Sequence, residues 1–167
     1  EKLFLAEKLG KLPKVVMPVH FAGQPCDMYK IHKLSKKYGF KVLEDASHSF
    51  GGMRDSEPVG SCKWSDIVVS SFHPVKTITS CEGGIATTNS KKIYAYLKLF
   101  REHGISRQNK KKFKNKKPKY YEQVELGFNY RMNEIQAILL KEQLKLLPKM
   151  LKRRREIAKM YDDELKG

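Results

Sequence analysis

The sequence predicts an α/β fold in which a mostly parallel sheet is flanked by helices. Short β-branched apolar runs alternate with stretches of helical periodicity. The first strand, helix and strand fall within about 30 residues, a spacing typical of a βαβ unit with parallel strands. The chain has 167 residues, 40% hydrophobic and 31% charged, so we expect about one domain with a buried core.

The first βαβ unit begins at residues 15–21 (VVMPVHF), a β-branched run flanked by Pro13 and by the turn sequence AGQP. A helix is predicted in DMYKIHKLSKKYG, with Asp27 as its N-cap and Gly39 as its C-cap. The next strand is FKVLEDAS, which leads into HSFGG.

Two further strands are predicted at residues 66–73 (DIVVSSFH) and 83–89 (GGIATTN). The segment SKKIYAYLKLFREHG predicts a helix with Ser90 as its N-cap. Residues 133–165 predict two helices with a break or kink between them at Pro148, because proline lacks the backbone N–H that a helix interior requires.

The net charge of +16 is concentrated in residues 106–119 (SRQNKKKFKNKKPK), which hold seven Lys and one Arg and no acid. Such a run is usually a solvated, flexible loop. Nucleic-acid binding is the alternative, which would appear as salt-dependent binding of duplex that is lost when the lysines of 110–119 are neutralised. Because no nucleic-acid-binding motif accompanies the run, we expect no nucleic-acid partner.

The three cysteines, Cys26, Cys62 and Cys81, are odd in number and form no CxxC pair. This usage favours a reducing compartment, and hence the cytoplasm, over a disulfide framework. No apolar run approaches the roughly 20 residues of a membrane span, so we expect no membrane association.

The histidines give no metal site, because the spacing of His48, His73 and Cys81 matches no trusted ligand pattern. The remaining histidines are expected to be ordinary surface or strand-end residues: His20, His32 and His103. A hydrolase triad of Ser71, His48 and Asp45 is disfavoured because the chain has no GxSxG motif. GxGxxG and Walker A motifs are also absent from the sequence.

Polar residues close two of the predicted strands, in EDASH and SSFHPVK. In open α/β sheets, ligands bind beyond the carboxyl ends of the strands. Asp45 at the end of an apolar strand requires a partner, either a cation such as a protonated ring nitrogen or the backbone of a turn. Glu44 is expected on the other face of the same strand.

Lys76 is a candidate nucleophile in the turn HPVKTITS. Pro74 stiffens this turn, and an anion such as phosphate would find hydroxyl and backbone N–H groups there. The hydroxyls belong to Ser71, Thr77, Thr79 and Ser80. On spacing alone, an ordinary surface lysine is the better interpretation.

Four segments in order resemble the DegT/DnrJ/EryC1/StrS family of pyridoxal-phosphate-dependent sugar aminotransferases. They are VMPVHFAGQPCDM, VLEDASHSFGG, VGSCKWSDIVVSSFHPVKTITSCEGG and LGFNYRMNEIQAILLKEQLKLL. The resemblance covers nearly the whole chain. It implies part of the large domain of a fold-type I transferase.

The resemblance assigns a role to each of five residues. Lys76 would form the Schiff base with the aldehyde of pyridoxal 5′-phosphate and act as general base. Asp45 would pair with the pyridinium nitrogen. His48 would lie against the ring or its phenolic oxygen, and Ser71 would hold the phosphate. Asn129 would reach a phosphate across the interface of a homodimer.

The implied activity moves an amino group from an amino acid, in this family usually glutamate, to a nucleotide-linked keto sugar. SFHPVK, EHGISR and YYEQVELGFNYR are most similar to members of the pseudaminic acid route, which aminate a UDP-linked 4-keto-6-deoxy-N-acetylhexosamine. Glu82 receives no role beyond shaping the turn with Gly83 and Gly84.

The resemblance also predicts the domain organisation. Residues 1–147 correspond to a partial cofactor-binding large domain that includes the flexible loop 106–119, and residues 148–167 to a helix leading toward a small domain. Family members begin well before this chain and continue beyond it. A catalytically incomplete fragment of such an enzyme is therefore an alternative to an active aminotransferase.

Overall fold

The structure is a computed structural model that describes residues 1–106 and 122–166. Its strands are β1 (Val15–Val16), β2 (Lys41–Asp45), β3 (Met53–Arg54), β4 (Glu57–Pro58), β5 (Ile67–Ser71), β6 (Gly84–Thr87), β7 (Ile105–Ser106) and β8 (Glu122–Gln123). The central sheet has the order β1-β2-β5-β6. β2 is parallel to both β1 and β5, and β6 is antiparallel to β5. The predicted mostly parallel sheet is confirmed.

Two of the helices begin at the N-caps that the sequence predicts, Asp27 and Ser90. The helices are α1 (Lys2–Lys8), α2 (Met28–Tyr38), α3 (Lys91–Arg101) and α4 (Glu134–Glu164), with a 3₁₀ turn at Phe21–Gly23. The Asp27 side chain caps α2 by accepting the Lys30 N–H at 3.1 Å, and Gly39 ends that helix at φ +76°. Ser90 caps α3 by accepting the Ile93 N–H at 3.3 Å. All three predicted caps are confirmed.

The first strand is shorter than predicted. Instead of spanning residues 15–21, β1 ends at Val16, and Val19 makes only an isolated parallel bridge to Asp45. Pro18 lies between them and has no N–H to donate to a ladder, although its carbonyl accepts the Asp45 N–H at 2.9 Å. The chain then turns at Ala22, which adopts φ +53°.

The core lies on one face of the sheet. Along β2 burial alternates, so Val42 and Glu44 are buried while Asp45 is half-buried on the opposite face. Met28 of α2 packs with Phe40 and Val42 to form one of two buried clusters. The predicted position of Glu44 on the face opposite Asp45 is confirmed.

The C-terminal helix is continuous, so the prediction of two helices with a break at Pro148 is wrong, whereas the alternative of a kink there stays a prediction. α4 runs from Glu134 to Glu164 with Pro148 inside it. Two leucines that flank the proline, Leu147 and Leu151, both pack against the turn at Gly51. Because this contact anchors the helix on both sides of Pro148, the missing hydrogen bond does not end it.

Several surfaces of the described residues are apolar and exposed. On α4, Ile135 is 81% exposed and Ile138 is 64% exposed. None of the helices described has the length and apolar character required to cross a membrane. The lysine-rich residues 107–119 lie outside the described residues, so the predicted flexible loop remains a prediction. The domain boundary at residue 147 also remains a prediction.

Candidate active site

The carboxyl ends of β2 and β5 meet at one edge of the sheet. In the parallel ladder Asp45 pairs with Val69, and Ser71 lies two residues farther along β5. Because paired residues of adjacent strands point to the same face and side chains alternate along a strand, Asp45 and Ser71 share one face. This is the face opposite the buried Val42 and Glu44.

Asp45 is held as an ionised carboxylate. Hydrogen bonds from Ser47, through its side chain and its backbone, are the main cause that lowers the pKa of Asp45. The backbone N–H of Ser47 donates to Oδ1 of Asp45 at 3.0 Å. Partial burial raises this pKa, whereas the charges of His48 and Lys76 lower it further. His48 and Lys76 are thus both near enough for their charges to act on Asp45.

Lys76 lies in the loop that follows β5. Its backbone N–H donates to the His73 carbonyl at 3.0 Å, which forms a turn, and its side chain is half-buried. Oγ of Ser71 accepts the His73 N–H at 3.3 Å. Ser71 and Lys76 are thus connected through one short turn in which Ser71 closes β5.

Two of the hydroxyls predicted to serve an anion are used within this loop instead. Thr79 Oγ1 donates to the Phe72 carbonyl at 2.8 Å, and Ser80 Oγ donates to the Glu82 carbonyl at 2.9 Å. Ser80 is completely buried. The prediction that all four hydroxyls serve an anion is wrong for Thr79 and Ser80, because their protons are donated to backbone carbonyls of the loop.

The glycine pair after the loop is required by close packing. Gly83 has φ +152°, and a Cβ there would lie 2.7 Å from Ser80 Oγ and 2.9 Å from Met132 Cε. A Cβ at Gly84 would lie 2.9 Å from the Ser70 carbonyl oxygen, which belongs to the backbone of the neighbouring strand. Only glycine allows the loop to return this closely to β5.

His48 is exposed just beyond Asp45. Its Nδ1 accepts the Ala22 N–H at 3.4 Å, and its ring packs at a tilt against Phe21 with 5.9 Å between the ring centroids. These contacts orient the imidazole from the 3₁₀ turn that follows the short first strand. His48 therefore borders the same site as Asp45.

Asn129 lies in a different part of the structure. It is exposed, and its backbone forms an isolated antiparallel bridge to Glu102 after α3. The hydrogen bonds found among the described residues include none from its side chain to Asp45, His48, Ser71 or Lys76. Its predicted role across a dimer interface remains a prediction.

Glu82, which received no role, shapes the loop as expected. Its side chain is exposed and approaches His73 Nε2 at 3.9 Å. Its carbonyl accepts hydrogen bonds from Ser80 Oγ and from Gln136 Nε2.

A buried polar network on the face of the sheet opposite Asp45 was not predicted from the sequence. His20 was expected to be an ordinary surface or strand-end histidine, but it is completely buried. Its Nδ1 accepts the Cys26 N–H at 3.2 Å, so Nε2 carries the proton and donates to Glu44 at 2.8 Å. The hydroxyl of Ser65 also donates to Glu44. The sequence signal for this network is Glu44, an acid at a buried position of the alternating strand β2, because a buried carboxylate requires hydrogen-bond partners.

Two glutamines of α4 were likewise not predicted to contribute. Gln143 Oε1 accepts the Thr79 N–H at 2.8 Å, and Gln136 Nε2 donates to the Glu82 carbonyl at 3.0 Å. Both belong to a segment that carries the family resemblance, NEIQAILLKEQL, but no local pattern shows which loop they contact.

Comparison with known proteins gives relatives with the same fold. Helicobacter pylori PseC, an aminotransferase involved in the biosynthesis of pseudoaminic acid, superposes with a TM-score of 0.85 at 33% identity, covering 100% of this chain and 42% of that chain. The PLP form of Spr1654, a putative sugar aminotransferase from Streptococcus pneumoniae, superposes with a TM-score of 0.74 at 27% identity, covering 92% of this chain and 42% of that chain.

Sequence relatives agree with the structural ones. The UDP-4-amino-4,6-dideoxy-N-acetyl-β-L-altrosamine transaminase of Campylobacter jejuni is 41% identical over 146 residues, which are 87% of this chain and 36% of the relative. The chain thus spans about two fifths of the length of such relatives. The family model for DegT/DnrJ/EryC1/StrS aminotransferases matches residues 5–167. These matches confirm the predicted fold-type I large domain, and the chain belongs to the DegT/DnrJ/EryC1/StrS aminotransferase family.

Proposed function

We propose that this chain is the cofactor-binding segment of a pyridoxal-phosphate-dependent aminotransferase that transfers an amino group from glutamate to a nucleotide-linked 4-keto-6-deoxy sugar. The observation that carries the proposal is the meeting of two carboxyl strand ends, β2 ending at Asp45 and β5 leading into the Lys76 loop, with the charge of Lys76 acting to lower the pKa of Asp45. Family membership supports the reaction class. The altrosamine transaminase of C. jejuni supports the class of sugar.

The residues at this edge of the sheet fit pyridoxal phosphate chemically. An ionised carboxylate at Asp45 suits a protonated pyridine nitrogen, and the hydroxyl of Ser71 on the same face suits a phosphate oxygen. Lys76 supplies a primary amine, and His48 supplies an exposed ring. When bound, the cofactor supplies an electron sink for the carbon that loses its proton.

Each side chain then has a defined task. Lys76 would hold the cofactor through Nζ, and its free amine would move the proton between the donor carbon and the cofactor carbon. Asp45 keeps the ring nitrogen protonated. His48 orients the ring, and Ser71 anchors the phosphate.

The site is completed by further protein surface. Exposed apolar side chains such as Ile135 and Ile138 on α4 suit an interface, and we propose a homodimer in which Asn129 reaches the phosphate of the neighbouring subunit.

All three cysteines are free, which suits a reducing, cytoplasmic location.

The experiment is a half-reaction assay. The chain is loaded with pyridoxal phosphate, mixed with glutamate, and assayed for 2-oxoglutarate. A UDP-linked 4-keto-6-deoxy-N-acetylhexosamine is then added, and mass spectrometry detects the amino sugar. Formation of both products supports the full proposal. Formation of 2-oxoglutarate without amino sugar contradicts the proposed sugar class. If alanine or aspartate is a better amino donor than glutamate in the same assay, the assignment of glutamate as the donor is wrong.

A second candidate is a catalytically incomplete part of such an enzyme. It is favoured by the chain spanning only about two fifths of its relatives. This candidate predicts covalent capture of the cofactor at Lys76 without formation of 2-oxoglutarate, so the same assay separates the two.

A further inference from the structure

The loop that carries Lys76 runs from Phe72 to Gly83, and hydrogen bonds close it at its base. Contacts from α4 hold its returning limb, residues 79–82. The Phe72 N–H donates to the Gly83 carbonyl at 2.8 Å, and the Ser80 N–H donates to the Phe72 carbonyl at 3.0 Å. Lys76 itself lies at the far part of the loop, where its backbone N–H bonds to the His73 carbonyl. The position of Lys76 therefore depends on what holds the returning limb.

Helix α4 holds that limb at two points. Gln143 Oε1 accepts the Thr79 N–H at 2.8 Å, although the two residues are 64 positions apart in sequence. Gln136 Nε2 donates to the Glu82 carbonyl at 3.0 Å. Seven residues are about two helical turns, so both glutamines lie on the same face of α4.

These bonds satisfy groups that the loop leaves open. The Thr79 hydroxyl is already used, because it donates to Phe72 and accepts the Cys81 N–H. Its half-buried backbone N–H therefore requires an outside acceptor, and Gln143 provides it. Gln136 additionally closes the capping box of α4 with Asn133, so one side chain joins the helix start to the end of the loop.

The same helix also contacts the turn that follows Asp45. A Cβ at Gly51 would lie 2.8 Å from Leu151 Cδ1 and 3.5 Å from Leu147 Cδ1, so α4 packs closely on this turn. α4 thus touches both segments that carry the candidate site, the Asp45–Gly51 segment and the Lys76 loop.

We propose that Gln136 and Gln143 are positioning residues, which fix the Lys76 loop to α4 and so set the distance between Lys76 and Asp45. The inference deepens the proposed function and rests on it. Neither glutamine is expected to touch the cofactor. Each acts through the backbone of the loop.

The first test measures the hydrogen bond itself in the chain without cofactor. Hydrogen exchange at the Thr79 amide is compared in Gln143→Leu, which removes the acceptor, and in Gln143→Glu, which retains one. We expect exchange to be faster by about 2- to 10-fold in Gln143→Leu, the range that loss of one net hydrogen bond gives, and close to wild type in Gln143→Glu. Unchanged exchange in Gln143→Leu would overturn the proposal.

The second test follows the effect of the Lys76 charge on Asp45. It measures the pKa of Asp45 by carbon NMR of the carboxyl group. Ser47, His48 and Lys76 are the groups that act on this carboxyl. Lys76→Ala removes the full contribution of the lysine charge and sets the upper limit. Gln143→Leu should raise the pKa of Asp45 toward that limit. The matched control is Gln123→Leu, the same neutral change at an exposed site on β8, which should leave the pKa unchanged.

The arms separate the two proposals. If Lys76→Ala raises the pKa of Asp45 but Gln143→Leu does not, positioning by Gln143 is wrong and the site assignment stands. If Lys76→Ala has no effect, the closeness of Asp45 and Lys76 is wrong, and the proposed function fails with it. Gln136→Glu retains the capping acceptor but loses the donor to Glu82, so faster exchange of loop amides in that variant supports the role of Gln136, and unchanged exchange contradicts it.

Discussion

The positive charge of Lys76 acts on the carboxylate of Asp45, although 31 positions separate the two residues in the sequence and they lie on different segments of the chain. This relationship arises because β2 and β5 are parallel neighbours whose carboxyl ends meet at one edge. Ser47 is the main group that favours the ionised form of Asp45, and the charges of His48 and Lys76 add to it. The pH dependence of stability follows from that preference.

Asp45→Asn should reduce the loss of stability in acid. The pKa of Asp45 is lower in the folded chain than its ordinary value, so the stability it contributes is fully present above about pH 4, the unfolded value. That contribution is lost as the pH falls through the lower folded value. Urea unfolding at a series of pH values should therefore show a steeper acid decline for wild type than for Asp45→Asn. Parallel declines in the two proteins would contradict this assignment.

Gly84→Ala should destabilise the chain by about 1–3 kcal/mol, the usual cost of overpacking. The added Cβ would lie 2.9 Å from the Ser70 carbonyl oxygen, and a backbone atom cannot move aside as a flexible side chain can. Urea unfolding measures the change.

Gly10→Ala is a comparison for this prediction, since Gly10 has a positive φ and Gly84 does not. Gly10 has φ +64° but no heavy atom within 4 Å of an added Cβ, so its substitution tests backbone strain without a clash. If Gly84→Ala destabilises the chain by clearly less than about 1 kcal/mol, close packing at Gly84 does not fix the loop.

His20→Leu should destabilise the chain by about 1.5–3 kcal/mol, because it removes a hydrogen bond to the buried Glu44 carboxylate and leaves Ser65 as its remaining partner. Glu44→Gln should cost less, since an amide oxygen can still accept the proton of His20 Nε2. Thermal or urea unfolding of the two variants tests the order. The reverse order would show that His20 and Glu44 do not form the pair described.

Local features of this fold are readable from sequence. The caps at Asp27 and Ser90 and the left-handed Gly39 depend on a few neighbouring residues, and all were predicted correctly. The alternation in β2 likewise assigned Glu44 and Asp45 to opposite faces. Such features need no knowledge of distant contacts.

Features that depend on tertiary contacts were not predicted. The hydrogen bond from Thr79 to Gln143 and the pairing of His20 with Glu44 join residues far apart in sequence. Pro148 predicts a helix break by its own chemistry, and only packing of the flanking leucines against Gly51 shows why α4 continues. The residue types at the site were recognised through the family resemblance, since spacing alone favoured an ordinary lysine at position 76.

The most direct measurement is covalent labelling at one lysine. The chain is incubated with pyridoxal phosphate and reduced with borohydride, and peptide mass spectrometry maps the pyridoxyl group. We expect the label to lie on Lys76 and to disappear in Lys76→Arg, whereas Lys30→Arg, at an exposed lysine of α2, should leave it unchanged. A label spread over many exposed lysines and unaltered by Lys76→Arg would contradict the assignment of Lys76 as the lysine that holds the cofactor.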